Sequence, residues 1–205
     1  MGRDGREADV IRVVAFDVMD TLLHDPYREA LRAATGLELS QLRDRRDPAL
    51  YPAFERGELT EAAYWAGHRE AGLHVDPAAF HRVRRARSTW LPGMQQLLAE
   101  LAGRVHRVTA SNYPVWIEEL AAGSLAGHLD EVLASHHLGA RKPDQAFYVR
   151  LLERLRVAAA EVAFIDDREA NVAAAAEAGM AAHRFVDADG VRAWLTDLEV
   201  VTAPR

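Results

Sequence analysis

Residues 10–21 read VIRVVAFDVMDT. A short run, mostly β-branched, that stops at a carboxylate has the length and composition of a strand buried on both faces, as in the middle of a parallel sheet. Working outward, VHRVTA (105–110), VAFID (162–166) and AAHRF (181–185) have the same character, and DEVLA (130–134) is a weaker fifth. Helical patterns fill 92–102, 114–122, 144–156 and 168–178. Pro92 and Pro114 suit a first helical turn and Gly179 a helix end. Within 144–156, Val149, Leu152 and Leu155 fall at helical spacing and are expected in the core. Strands alternating with helices predict right-handed βαβ crossovers and an α/β three-layer sandwich around a central parallel sheet.

The stretch 25–90 breaks that rhythm. It offers helical pieces such as PYREALRAATG and GELTEAAYWAGHREAG and no convincing strand. It reads as a helical insertion after the first strand. Ligands of open α/β sheets bind outside the carboxyl ends of the strands, so an insertion there would lie over the site as a lid. The expected division is a core of 10–24 and 91–201, a helical cap of 25–90, and loose ends at 1–9 and 202–205.

Bulk properties narrow the classes. The chain has 205 residues, of which 49% are apolar, enough for one domain with a sizeable core and a small insertion. A net charge of −6 argues against a general nucleic-acid binder. There is no cysteine, which removes disulfides, thiolate nucleophiles and thiolate metal sites. The first ten residues, MGRDGREADV, are charged, without the apolar stretch of a signal peptide, and Arg6 stands where myristoylation needs Ser or Thr. No apolar run approaches the roughly 18 residues of a membrane span. The expectation is a cytoplasmic protein, monomer or homodimer, with neither nucleic-acid nor membrane partners.

Polar groups stand where the strands end: Asp17, Asp20 and Thr21 after the first, Ser111 and Asn112 after the run at 105–110, and Asp166 and Asp167 in FIDDREAN. Lys142, in GARKPD, precedes a helix. A parallel sheet gathers such loops along one edge. A carboxylate nucleophile, a hydroxyl with an amide, a lysine and a carboxylate pair are the parts needed to handle a phosphate with Mg²⁺.

At this point the sequence resembles the haloacid dehalogenase-like hydrolase superfamily, and within it the phosphatases with a small helical cap after the first strand. The motifs FDVMDT, TASN, RKPD and IDDREAN appear in the family's order, and the resemblance runs over about 10–185. It implies a Rossmann-like core and a Mg²⁺-dependent phosphohydrolase of a small phosphorylated metabolite. It implies that Asp17 is the nucleophile, forming an aspartyl-phosphate. Thr21 would support the loop, Ser111 would bind a phosphate oxygen with Asn112 beside it, and Lys142 would hold Asp17 and the phosphate together. Asp167 would be the direct Mg²⁺ ligand and Asp166 a direct or water-mediated one, with Asp17 and the Met19 carbonyl completing the protein's share.

The chain departs from the pattern at Met19. The family's phosphatases usually carry an acid/base aspartate there; here the next carboxylate is one residue later, at Asp20. In extended backbone a one-residue slip points to the other face. Asp20 is therefore read first as a turn or capping residue and second as a displaced acid. A positioned general acid contributes about 10²–10⁴-fold, so two escapes are considered: a substrate with a good leaving group, or an acid from the lid, with His24, His68 and His74 as candidates. The same departure admits a carbon–halogen hydrolase, which the Asp166–Asp167 pair argues against, and a catalytically weak phospho-ligand-binding protein.

Other features have plainer readings. Arg82, Arg84, Arg85 and Arg87 read as a solvated helix face before an anion clamp. Tyr64, Trp65 and Trp90 read as the lid's own core before a pocket wall. Adjacent His136 and His137 point apart and do not make a zinc site.

Overall fold

The computed structural model describes residues 10–43 and 45–201. The expected loose ends, 1–9 and 202–205, lie outside the described residues. Four strands form one parallel sheet in the order β2-β1-β3-β4: β1 Val13–Phe16, β2 His106–Thr109, β3 Val162–Asp166 and β4 Ala181–Arg184. β1 is central, with Phe16 beside Thr109 on one side and Ile165 on the other. The sequence 130–134 forms no strand in this ladder. It touches β2's end through isolated bridges, Glu131 to Val108 and Ala134 to Ser111.

The alternation of side chains assigns the layers. Val14, Phe16, Ala163 and Ile165 enter one apolar cluster, while Val13, Ala15, Val162 and Phe164 enter the other. The first cluster is filled by α6 Met94–Leu101, α7 Ile117–Ala122 and α11 Ala188–Asp197. The second is filled by α9 Gln145–Leu155 and α10 Glu169–Glu177, with the short α8 Ser135–Leu138 at its margin. In α9 the buried residues are Phe147, Tyr148 and Leu151; of the expected apolar stripe, Leu152 and Leu155 are partly buried and pack on the same cluster, while Val149 is 50% exposed. The bulk of two aromatic rings against the sheet sets the helix's rotation. Pro92 and Pro114 lie in the turns before α6 and α7 rather than in their first turns.

The segment after β1 is helical, as expected: α1 Tyr27–Thr35, α2 Leu39–Arg43, α3 Leu50–Glu55, α4 Glu61–Glu70 and α5 Pro77–Arg87. Its interior is aromatic. Phe54 stacks on Tyr64 at 4.6 Å, and Trp65 and Phe80 meet edge to face at 5.1 Å. Trp116, just before α7, inserts into this group at 5.0 Å from both Phe54 and Phe80. Burial of rings of this size is the largest contribution available to docking the insertion.

Polar contacts pin the same junction. The Ser135 Oγ donates to the Glu55 carbonyl at 2.7 Å, and Arg84 and Arg85 of α5 both bond Glu119 of α7. At Gly57 the chain turns with φ +73°, and a Cβ there would stand 3.0 Å from the His136 ring. The positive φ strains any residue with a Cβ, and the ring would have to shift to admit it.

Candidate active site

β1 delivers Asp17 to the carboxyl edge of the sheet, where its N–H bonds the Ile165 carbonyl at 2.8 Å. Beside it the Ala110 N–H bonds the Phe16 carbonyl at 2.7 Å, which brings Ser111 to the same edge. Asp166 ends β3 and Asp167 follows it. The register of three adjacent parallel strands thus gathers residues separated by up to 150 positions. Asp17, Asp166 and Asp167 offer carboxylate oxygens that all lie within 4.8 Å of one another.

Lys142 is the counterweight. It is 1% exposed, and its Nζ donates to Asp17 Oδ1 at 2.9 Å and Asp166 Oδ2 at 2.5 Å. Burial alone would lower its pKa, but the charges of Asp17 and Asp166 outweigh burial and raise it. Asp17 is pushed up to about 6, first by burial and then by Asp166, against the lowering charge of Lys142.

The two carboxylates of β3 have different surroundings. Asp166 is fully buried, and it accepts from the Arg168 N–H at 2.9 Å, from Asn171 Nδ2 at 2.9 and 3.0 Å, and from Lys142. Its lone pairs are committed to the protein. Asp167 is partly exposed and its carboxylate has no hydrogen-bond partner among the described residues; its pKa is raised, by burial first and by Asp166 next. Three carboxylates share one lysine, and the excess negative charge and hard oxygen donors fit a small divalent cation such as Mg²⁺. Asp17 and Asp167 have the freer oxygens for it.

The remaining residues named from sequence fall as follows. Asn112 lines the cavity, but its side chain is spent on the backbone of Lys142: Nδ2 donates to that residue's carbonyl at 2.9 Å and Oδ1 accepts its N–H at 2.8 Å. Thr21 is fully buried, does not line the cavity, and its Oγ1 meets no partner among the described residues. Met19 lines the cavity. Asp20 has φ +57°, and its Oδ1 accepts the Asp25 N–H at 2.9 Å, which is the geometry of a turn residue.

None of the three histidines lines the cavity. His68 is buried against Tyr64 and Trp65, with its pKa lowered to about 4 by burial; His74 is exposed; and His24 lies near Asp20 and Glu29. The arginine run is spoken for elsewhere: Arg84 and Arg85 on Glu119, Arg87 near Glu29. Tyr64 and Trp65 are buried inside the insertion. His137 bonds Glu118 at 2.7 Å.

The cavity holds about 530 Å³, within the usual range for small-molecule sites. Its floor is the strand edge and its roof is the insertion. Sequence reasoning expected a lid from 25–90 but named none of these residues that line it: the apolar and aromatic walls of Leu31, Leu42, Tyr51 and Pro52, the basic Arg43 and Arg46, and the acid Glu55. Glu55 is 4% exposed and bonds Arg141 Nε at 2.9 Å across 86 residues of chain.

Comparison with known proteins agrees with this geometry. The family model of haloacid dehalogenase-like hydrolases matches residues 11–179. The chain is 33% identical over 198 residues to a chloroplast flavin mononucleotide hydrolase of Arabidopsis thaliana, covering 94% of this chain and 80% of that one. A HAD-like family hydrolase from Porphyromonas gingivalis superposes with a TM-score of 0.77 at 21% identity, covering 93% of this chain and 98% of that one. A HAD family enzyme from Bacteroides thetaiotaomicron, solved with magnesium and inorganic phosphate, does so at 0.71 and 17%, covering 86% and 95%. With its parallel sheet, its acidic strand edge and its matched sequence in agreement, the chain belongs to the haloacid dehalogenase-like hydrolases.

Proposed function

We propose that the protein is a phosphomonoester hydrolase that uses Asp17 as its nucleophile, and that 25–90 acts as its cap. The observation that carries the reading is the strand-edge cluster: a buried nucleophilic carboxylate bonded to a buried lysine, beside a second carboxylate left free. Lys142 and Ser111 neutralise and orient phosphate oxygens on the floor of the cavity. Asp166 holds Lys142 and Asn112 holds its backbone, so the amine is fixed before substrate arrives. Bound at Asp17 and Asp167, Mg²⁺ would supply charge relief to the transferring phosphoryl group. The Asp17 oxygen attacks phosphorus, the ester oxygen leaves, and water then releases phosphate from Asp17.

The roof suggests the substrate class. Aromatic and apolar walls at Tyr27, Leu31, Leu42 and Tyr51, with Arg43 and Arg46, suit a phosphate ester with a flat, partly polar body. The Arabidopsis relative is named for flavin mononucleotide, and that ester is the first candidate here. Among the described residues no helix is long and apolar enough to cross a membrane, and the Arabidopsis relative is named as a chloroplast enzyme.

The test is phosphate release from a panel of phosphate esters headed by flavin mononucleotide, with and without Mg²⁺, with Asp17→Asn as the blank. Metal-dependent release by the wild type and none by the variant is the expected result. Release undiminished in Asp17→Asn, or none from any ester, would overturn the reading.

A further inference from the structure

We infer that Glu55, brought by α3 to the roof of the cavity, protonates the departing ester oxygen, the task that Met19 cannot perform; this rests on the phosphohydrolase reading above. A flavin phosphate is an alkyl ester, and its alkoxide is a poor leaving group, so the good-leaving-group escape does not serve it. An acid is needed, and the carboxylates of the floor have other tasks: Asp166 is fully bonded, Asp167 is left for the cation, Asp20 is tied to the Asp25 backbone, and Asp25 Oδ1 holds the Tyr27 N–H at the start of α1.

The direction is right. In-line transfer puts the leaving oxygen opposite the attacking Asp17 oxygen, away from the sheet and toward the insertion. Glu55 lines that side of the same cavity. Its Oε2 accepts from Arg141, and its Oε1 has no partner among the described residues. Arg141 is followed directly by Lys142, which holds Asp17 at 2.9 Å, so Glu55 and the nucleophile are linked through two neighbouring side chains. The Ser135 Oγ bond to the Glu55 carbonyl fixes the end of α3 on the core.

Its proton is available near neutrality. Burial raises Glu55 to about 7, against the lowering charge and hydrogen bond of Arg141 and the charges of Arg168 and Lys142. Arg56, Tyr27 and Tyr51 are the other titratable groups that feel it. A group half protonated at working pH is suited to giving its proton to a leaving oxygen. As the P–O ester bond breaks, the Glu55 proton passes to the alkoxide, giving the alcohol. Water then attacks the aspartyl-phosphate and the P–O bond to Asp17 breaks, the water's proton leaving with the phosphate or to solvent, and Glu55 regains its own proton from solvent.

The experiment sets Glu55→Gln against the wild type, with Mg²⁺, on flavin mononucleotide and on acetyl phosphate, whose acetate leaves without a proton. Gln keeps an acceptor for Arg141, and its thermal midpoint is measured beside the wild type's. The kcat on the flavin ester is expected to fall at least about 10²-fold, with acetyl phosphate within about threefold, and the alkaline limb of the wild-type profile, near pH 7, to vanish. Glu55→Asp, with a carboxyl retained, should recover part of the ester activity and the limb. Equal losses on both substrates, or no loss on the ester, would overturn the proposal while leaving the phosphohydrolase intact. A wild type that releases phosphate from neither would overturn both.

Discussion

Asn112 grips Lys142 by its backbone, not its amine: the amide accepts that residue's N–H at 2.8 Å and donates to its carbonyl at 2.9 Å. A side chain that satisfies both backbone polar groups of one residue fixes where that residue's own side chain begins. The amine at the far end of Lys142 then falls between Asp17 and Asp166 with little freedom. In Asn112→Ala, kcat should fall about 10²-fold, since a displacement near 1 Å can cost that much. Loss of the paired hydrogen bonds should cost about 1–3 kcal/mol of stability. Steady-state kinetics and chemical denaturation measure the two effects separately.

Replacing Lys142 by Met leaves Asp17 and Asp166 adjacent, buried and without a cation. Breaking a buried ion pair by removing one partner costs about 3–5 kcal/mol. The pH dependence follows from Asp17. Lys142 lowers its pKa in the folded protein, so in the variant the folded value rises further. A group raised in the folded state stabilises when protonated, and that stability is lost as pH climbs through the folded value. Lys142→Met should therefore be least stable above pH 7 and recover toward pH 5. Thermal midpoints from pH 5 to 8 would show it, and a midpoint flat across that range would contradict the argument.

The metal-free wild type obeys the same sign. Asp17 moves from the ordinary 3.8 to about 6 on folding, and Glu55 from 4.5 to about 7. Both contributions are fully present below pH 3.8 and fade between about 4 and 7. Cation binding at the cluster competes with the Asp17 proton. Mg²⁺ should thus raise the thermal midpoint markedly at pH 7.5 and little at pH 5. Titration calorimetry at both values checks it, and equal affinity at both would contradict a site that includes Asp17.

Much of the strand edge was legible because local composition carried it. VAFID was bounded as read, since a buried apolar run ends where a carboxylate begins, and β3 is Val162–Asp166. VIRVVAF was read too long: Val10 is 74% exposed and pairing begins at Val13. DEVLA kept its direction beside β2 but forms only single bridges. In α9 the stripe held at Leu152 and Leu155, which pack on the core, and failed at Val149, because the aromatic bulk of Phe147 and Tyr148 sets the buried face. Glu55 had no local signal. In ALYPAFERGEL it reads as a solvated carboxylate, and its burial follows from Arg141 and Ser135, more than 75 residues away. The Asn112 clamp was hidden likewise, its partner lying 30 residues on.

Asp20 has the conformation of a turn, and its substitution should behave accordingly. Asn tolerates positive φ and keeps an oxygen for the Asp25 N–H. Asp20→Asn should leave kcat on flavin mononucleotide within about twofold, because no proton transfer depends on it. Asp20→Ala loses the acceptor and strains the left-handed residue, costing about 1–2 kcal/mol. A kcat loss of about 10²-fold in the Asn variant, at unchanged stability, would return the acid's role to Asp20.

Met19 lines the same cavity as Glu55, and the two positions should be exchangeable for proton transfer. A carboxylate at 19, two residues beyond the nucleophile, would project from the floor on the face that Asp20 does not share. It would join three carboxylates, so its proton would be held by like charge as well as by burial. In Met19→Asp alone, turnover of the flavin ester should change little, since Glu55 already supplies the proton. In the Glu55→Gln background the same substitution should restore at least about tenfold of the lost kcat. Acetyl phosphate should respond to neither change. The double-mutant cycle isolates the coupling: two acids serving one leaving group give strongly non-additive effects, whereas additive losses on the ester would mean that Glu55 acts on the cavity's shape and not on the proton.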